Sequence, residues 1–573
     1  MKGTIIWTVL AVACHSAGQE LLSDPGLEGR GPAAQAWSAL AWGDPKPDFA
    51  CAASEPHGGA RGQRVTVTAL PEKSGFVYRQ PVTFLGGHTY RGRLWLRSPD
   101  RARVQVLMRR AGPHYEPCAA RAVEAGPEWR EITLAGGFGE GDVPGFFGVA
   151  FQSAGTLEID DASLTDISSE VQSQPTPTNT MDRAFYGLHI NKLGSHNVWP
   201  ALGQGTLRLW DTGTTWSHLE PRPGEWNWTR LDYYVRHAQK HAPECRLILT
   251  LGIPPAWACA TNARSAYAGC AAPPLDLEAW RRYVRAVGER YKGRIRCWEP
   301  WNECDYGGFF NGGPAAMLPL ARAAYEELKR IDPQNVVLSP NVTRAGLGWL
   351  DAYLGAGGGA WCDVLSFHRY PSGVPENDVP EYFAFCDLAR AHGLGDKPLW
   401  NTEGAIERRA GEGEAEIGTV ARSWLVQWAQ GVTAFCWYCW DIHWEKGTAL
   451  CASLTGEALT PAGQAVAELV RWTDGAVMER REVRDRVWLL SLRRDGRAFW
   501  IVWRVGNPQP WTLPPGMVSA VCCDLTGRRL EAVDGKIPLG PLPVRVLDVQ
   551  RTGNGLKAGA AHQEVMVHES DHR

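Results

Sequence analysis

A central (β/α)8 barrel with an all-β domain on either side is the architecture this sequence predicts, and three observations predict it. Between residues 182 and 474, short apolar runs of strand length alternate with amphipathic stretches of helix length, the pattern of a parallel sheet. Eight such runs are present, the number that closes a barrel. Before and after that span the pattern changes to period-two alternation broken by glycine and proline, as in antiparallel β-sandwiches.

With 573 residues the chain is longer than one core supports, which fits about two to four domains. Lys and Arg total 59 against 62 Asp and Glu, a net charge of −3. No basic block stands out, so nucleic acid and anionic membrane are not expected partners.

Residues 1–17 open with Met1-Lys2, an apolar run from Ile5 to Val12 and a small residue at Ala13, the layout of a signal peptide too short to span a bilayer. Cys14 after Ala11-Val12-Ala13 offers a lipoprotein-type anchor, with Ala11 where leucine is usual. The expected location is therefore secreted or cell-surface. There, Cys259 with Cys270, or Cys51 with Cys118, are candidate disulfides. No cysteine or histidine cluster has zinc-ligand spacing, and neither metal nor cofactor is expected.

From 20 to 166 the runs Arg64–Thr68, Tyr90–Leu96, Val104–Met108, Trp129–Leu134 and Phe147–Phe151 alternate at period two, and the stretch Gly155–Leu164 closes the set. They predict a β-sandwich. Residues 167–181, rich in Ser, Thr and Pro, lack apolar periodicity and read as a linker.

The eight barrel strands expected next are Tyr186–Ile190, Thr206–Trp210, Arg246–Gly252, Ile295–Glu299, Val336–Pro340, Val364–His368, Leu399–Thr402 and Ala434–Trp440. Between them, Trp280, Val284, Val287 and Tyr291 share a helix face behind the cap Asp276, and Met317, Leu320, Ala324, Leu328 and Ile331 share another. From 475 to 551 the runs Val487–Leu492, Ala498–Trp503, Val518–Val521 and Pro543–Leu547 predict a small C-terminal β-sandwich, and 552–573 a disordered polar tail.

In a (β/α)8 barrel the chemistry lies where the strands end. The fourth strand runs through Trp298-Glu-Pro-Trp-Asn302-Glu303, and the seventh through Leu399-Trp-Asn-Thr-Glu403. Two carboxyls at strand ends suit paired acid–base chemistry, one protonated and one ionised. Glu299 also lies on the fourth strand, but alternation and the Asn302 neighbour favour Glu303, leaving Glu299 structural. Arg208 on the second strand, His368 and Tyr370 at the end of the sixth and Trp440 at the end of the eighth converge on the same face. His189 ends the first strand, and Trp257 follows the third.

This constellation resembles the clan A retaining glycoside hydrolases. The stretches Leu207–Trp216, Pro223-Gly-Glu-Trp-Asn-Trp228, Pro254-Pro-Ala-Trp257 and Thr460-Pro-Ala-Gly463 resemble family 39 and its neighbours. Two departures mark the likeness: Trp298-Glu-Pro-Trp stands where that family usually has Glu-x-Trp, and Gly404-Ala405 follows the second glutamate instead of Trp or Phe.

The resemblance implies hydrolysis of β-glycosidic bonds in a poly- or oligosaccharide by double displacement. It makes Glu303 the acid/base, Glu403 the nucleophile, and Asn302 the group holding the sugar 2-hydroxyl. Arg208 would position the nucleophile, His368 and Tyr370 would contact the nucleophile region or the sugar, Trp440 would floor the subsite, and His189 and Trp257 would line it. The 27 tryptophans suit stacking on sugar rings, although most serve as core filling. The N-terminal run order resembles jelly-roll carbohydrate-binding modules, with Trp95, Tyr115 and Trp129 as candidate stacking residues. The C-terminal sandwich resembles the small β-domain that packs on clan A barrels. Two other functions are compatible: transglycosylation through the same covalent intermediate, and non-catalytic glycan binding on an inactive barrel.

Overall fold

The computed structural model describes residues 18–29, 34, 36–52, 55–112, 115–139, 141–194, 198–259, 263–371, 373–406, 413–440, 448–453, 458–514, 517 and 520–547. The expected signal peptide with Cys14 and the expected tail lie outside them.

The centre is a closed ring of eight parallel strands. In chain order they are β1 (Tyr186–His189), β2 (Thr206–Leu209), β3 (Arg246–Thr250), β4 (Cys297–Glu299), β5 (Val336–Val337), β6 (Leu365–His368), β7 (Leu399–Gly404) and β8 (Val432–Trp437). β8 pairs with β1, and a parallel bridge from Leu338 to Val364 closes the ring between β5 and β6. The helices around it are α1 (Thr229–His241), α2 (Leu277–Arg290), α3 (Gly313–Ile331), α4 (Leu347–Gly355), α5 (Val379–Ala391), α6 (Gly413–Ala429) and α7 (Pro461–Thr473). This is the expected (β/α)8 barrel.

Side-chain alternation explains how the barrel is filled. Ile248, Cys297, Trp400, Ala434 and Cys436 pack together in its interior. Their strand neighbours Leu249, Trp298, Phe435 and Trp437 belong to the large core that the strands share with the helices. Trp437 of β8, for instance, stacks on Trp424 of α6 with ring centroids 5.1 Å apart. Two residues beyond Ile248 and Cys297, the inward positions become polar, as Thr250 and Glu299, and there the site begins.

The helices obey their sequence signals. The Asp276 side chain accepts from the Glu278 N–H and caps α2, whose Trp280, Val284 and Val287 are buried. Met317, Leu320, Ala324, Leu328 and Ile331 of α3 are buried as well.

Residues 38–166 form two five-stranded antiparallel sheets, one ordered 38–42, 75–84, 143–151, 103–110, 117–124 and the other 46–52, 62–69, 155–166, 90–97, 130–136. Their inward faces share one core built on Val65, Tyr78, Leu94, Val106, Phe147 and Leu157. Of the candidate stacking residues here, Trp95 is covered by the His57 ring at 3.7 Å, Trp129 lies under the Arg97 guanidinium, and Tyr115 lies exposed against Arg109. Cys118 is a buried thiol donating to the Met108 carbonyl. Cys259 and Cys270 are both reduced, and the Cys259 thiol donates to the Ala272 carbonyl at 3.7 Å.

The Ser/Thr/Pro segment expected to be a plain linker carries a short helix, Ser168–Gln172, and a two-residue strand, Thr180–Met181. That strand pairs with Ala476-Val477, so it forms an edge of the C-terminal seven-stranded sheet. Composition hid it, because two residues carry no periodicity and their pairing partner lies beyond the barrel. The same sheet contains Ala476–Arg484, Val487–Arg494, Arg497–Arg504, Val521–Asp524 and Val544–Leu547. It is fastened to the barrel by the Trp503 indole N–H, which donates to Glu376 at 2.7 Å while Arg422 of α6 ion-pairs with the same oxygen at 3.0 Å.

Candidate active site

The polar layer inside the barrel mouth is organised by one arginine. Arg208 points inward from β2 and is fully buried. Its Nε and Nη2 donate to Glu299 Oε2 at 2.8 and 2.6 Å, its Nη1 to Glu403 Oε2 at 2.9 Å, and Nη2 also to Asn302 Oδ1 at 2.6 Å. Glu299 receives further hydrogen bonds from Thr250, Ser366 and Thr402, at 2.8, 2.6 and 2.8 Å. Burial pushes the Glu299 carboxyl up, but Arg208 and these hydroxyls outweigh it and hold it below the usual carboxylate range. Glu299 is thus ionised and structural: it anchors the arginine.

Glu303 is held differently. The chain leaves β4 at Glu299, and Trp301 is buried with its indole N–H on the Phe309 carbonyl. At Glu303 the backbone turns left-handed, with φ of 44°. That conformation costs a non-glycine residue about 1 kcal/mol, and here the Asn341 side chain secures it by accepting from the Glu303 N–H at 2.6 Å. The carboxyl is thereby delivered over the mouth, half-buried, with Oε1 2.9 Å from His368 Nδ1. Burial, with Asp305, Asp211 and Glu299 adding negative charge and Arg208 opposing them, raises it to about 7.

Glu403 ends β7. Besides Arg208 on Oε2, it accepts from the Tyr370 hydroxyl on Oε1 at 2.7 Å. Burial raises its carboxyl, against the pull of His368 and Arg208. His368, fully enclosed, is pushed down to about 4 by burial and is neutral. The donor atoms of Glu303, His368 and Glu403 all lie within 4.8 Å of one another. A cation would find these ligands already engaged, since both Glu403 oxygens accept hydrogen bonds and His368 faces Glu303. Two closely spaced carboxyls, one of them raised to about 7, suit general acid–base chemistry.

The structure therefore brings Arg208, Asn302, Glu303, His368, Tyr370 and Glu403 into one cluster. It does not bring Trp440, His189 and Trp257 there. β8 ends at Trp437, and Trp440 lies fully buried, its backbone N–H on the His189 carbonyl. The side chain that β8 presents at the mouth is Tyr438, the next inward position after Ala434 and Cys436. His189 is also fully buried, with Nε2 2.9 Å from the Thr402 carbonyl and its ring against the edge of Tyr438, so it supports the wall from behind. The Trp257 indole donates to the Glu220 carbonyl and packs against Trp216 and Arg282.

Sequence reasoning passed over Asp211 and Tyr438. The Tyr438 hydroxyl donates to Asp211 Oδ2 at 2.6 Å, and Asn191 donates to Tyr438 at 3.3 Å. Alternation along β8 would have found Tyr438, and Asp211 lies two residues past the end of β2. The rim beyond them is aromatic: Tyr267 stacks on Phe309 at 5.3 Å, and both meet Trp210 edge-on.

Comparison with solved structures finds a family 39 glycoside hydrolase from the gut symbiont Bacteroides cellulosilyticus WH2 at a TM-score of 0.53 and 16% identity, covering 78% of this chain and 95% of that one. A monomeric β-xylosidase from Caulobacter crescentus CB15 aligns at 0.47 and 17% identity, over 65% of this chain and 97% of that one. A family 30 endoxylanase from Clostridium papyrosolvens C71 aligns at 0.46 and 16% identity, over 65% and 97%. The first of these likenesses shows the barrel fold. Comparison with protein-family models and with curated proteins found no match.

Proposed function

We propose that this chain is a retaining glycoside hydrolase of clan A, similar to family 39, that cleaves β-glycosidic bonds in poly- or oligosaccharides by double displacement. One observation carries the reading: two carboxyls at the ends of β4 and β7 with oxygens within 4.8 Å, one of them raised to about 7 and the other gripped by an arginine and a tyrosine. Carboxyl groups about 5–5.5 Å apart leave no room for a water between nucleophile and sugar, which favours direct attack; inverting pairs stand about 6.5–9.5 Å apart.

The roles follow from the surroundings. Glu303 keeps its proton near neutral pH and delivers it to the departing glycosidic oxygen. Glu403, its charge stabilised by Arg208 and Tyr370, attacks the anomeric carbon and forms an ester. Forming that ester removes a negative charge from beside Glu303, which lowers the Glu303 pKa. Glu303 then acts as base, drawing a proton from the water that releases the sugar. His368, neutral and 2.9 Å from Glu303, steadies the carboxyl through both states. Asn302, oriented by Arg208, is placed to hold the sugar 2-hydroxyl.

The test is the anomeric configuration of the first product, followed by NMR, together with Glu303→Gln and Glu403→Gln. Retention and a loss of about a thousandfold or more in each variant are expected; inversion, or wild-type turnover by either variant, would refute the reading. The proposal extends to export and a secreted or cell-surface location, supported by the sequence of residues 1–17 alone and checked by cell fractionation.

A further inference from the structure

The mouth holds a further carboxylate that the double displacement does not use. Asp211 follows β2 and raises both Glu303 and Glu403 through its charge, which puts it within electrostatic reach of the reacting atoms. The Tyr438 hydroxyl donates to its Oδ2 at 2.6 Å, and among the described residues its buried Oδ1 has no hydrogen-bond partner, while Tyr267 stands near it on the loop after β3. Tyr438 itself receives the Asn191 amide at 3.3 Å.

Position assigns the group to one side of the scissile bond. Asn191 follows β1, Asp211 follows β2 and Tyr438 follows β8, so the three span an arc whose end adjoins β7, the strand of Glu403. A sugar seated over that arc lies beside Glu403, within reach of its attack. A carboxylate only accepts hydrogen bonds, and with Oδ2 taken by Tyr438 the unpartnered Oδ1 is left to accept one from a sugar hydroxyl. A carboxylate on the sugar would instead meet the charge of Asp211. The Arg208 guanidinium is already engaged by Glu299, Glu403 and Asn302.

We propose that Asp211, oriented by Tyr438, is a specificity-determining residue that selects a neutral glycone bearing a free hydroxyl toward this wall and rejects uronic acids. The proposal rests on the glycosidase reading above. An unlike partner is rejected here by repulsion as much as the right one is held by contact.

Initial rates are measured on 4-nitrophenyl β-xyloside, β-glucoside, β-galactoside and β-glucuronide with the full chain. The wild type is expected to prefer its best neutral substrate over the glucuronide by about a hundredfold or more in kcat/KM. Asp211→Asn should narrow that ratio at least about tenfold, a change that general damage to the fold would not produce. Tyr438→Phe, which removes the donor that orients Asp211 and keeps the charge, should lose about tenfold or more on neutral substrates while the glucuronide stays rejected. It also serves as the test if Asp211→Asn does not fold.

A glucuronide hydrolysed as well as the best neutral substrate overturns the proposal, as does an unchanged ratio in Asp211→Asn or an unchanged neutral rate in Tyr438→Phe. In those cases the glycosidase reading stands, provided the Gln variants of Glu303 and Glu403 are inactive. Turnover of none of the four by the wild type overturns the proposal, and the glycosidase reading as well if defined β-linked polysaccharides are also left uncut.

Discussion

Glu299 and Glu303 stand four residues apart in the same stretch of chain, yet the floor of the barrel mouth and its rim treat a carboxyl in opposite ways. On the floor, Glu299 is fully enclosed and receives Arg208, Thr250, Ser366 and Thr402. At the rim, Glu303 faces a neutral histidine and several negative charges, and its carboxyl rises to about 7. Burial raises both carboxyls; what differs is whether donors answer it. The floor is saturated with hydrogen bonds, which fixes Arg208, and a fixed Arg208 lets the rim hold two carboxyls at short range, one of them raised to about 7.

That contrast can be broken most severely at its shared member. Arg208→Met should destabilise the chain by about 3–5 kcal/mol, because it leaves Glu299 buried without a counter-charge. It should also abolish most turnover, and thermal unfolding alongside initial rates would show both losses. If stability is unchanged, the floor does not depend on the ion pair.

The next largest effect has the opposite sign. A carboxyl whose folded value is about 7 against an ordinary 4.5 contributes stability that is complete below 4.5 and is lost as pH rises through 7. Glu303→Gln removes the ionised form, so at pH 8 the variant should be more stable than the parent by roughly 2–3 kcal/mol, with little difference at pH 4, as denaturant titrations at both pH values would show. Activity should fall all the same, and the alkaline limb of the kcat/KM profile, expected near 7 in the parent, should be absent from the residual activity. A variant that loses stability at pH 8 would place Glu303 with the floor.

Tyr370→Phe probes the donor side of the rim. Removing its 2.7 Å hydrogen bond to Glu403 should lower kcat by about ten- to a hundredfold with unchanged folding. The smallest effect is expected at Trp257→Phe, which keeps most of the packing against Trp216 and loses the indole donor to Glu220. A change of under about threefold in kcat/KM and about 1 kcal/mol in stability is expected. A large rise in KM there would return Trp257 to the sugar site.

The barrel was readable because strands buried on both faces appear as near-continuous apolar runs, and all eight were located from them. The strands over 38–42 and 75–84 were not, since Ser38–Trp42 is exposed along most of its length and Pro81 interrupts Gly75–Phe84. In the site, Glu303, Glu403 and Arg208 could be named because motif spacing and strand ends coincide. Trp440 was misjudged for a local reason. The strand stops at Trp437, and a few residues of irregular chain carry the tryptophan into the core while Tyr438 takes the mouth. Asp211 was missed because its meaning lies in the neighbours that β8 and the β3 loop bring to it, and sequence order separates all of them.

The pairing of Thr180-Met181 with Ala476-Val477 has a consequence for how the chain is made and cut. Strands from before and after the barrel lie side by side in one sheet, so the barrel is an insertion whose entry and exit are fastened together. During synthesis that sheet cannot close until the last barrel helix has emerged. A fragment ending near 474 would leave Thr180-Met181 without its strand partner and Glu376 without the Trp503 indole. The smallest piece expected to retain the site therefore runs from before residue 180 to residue 547.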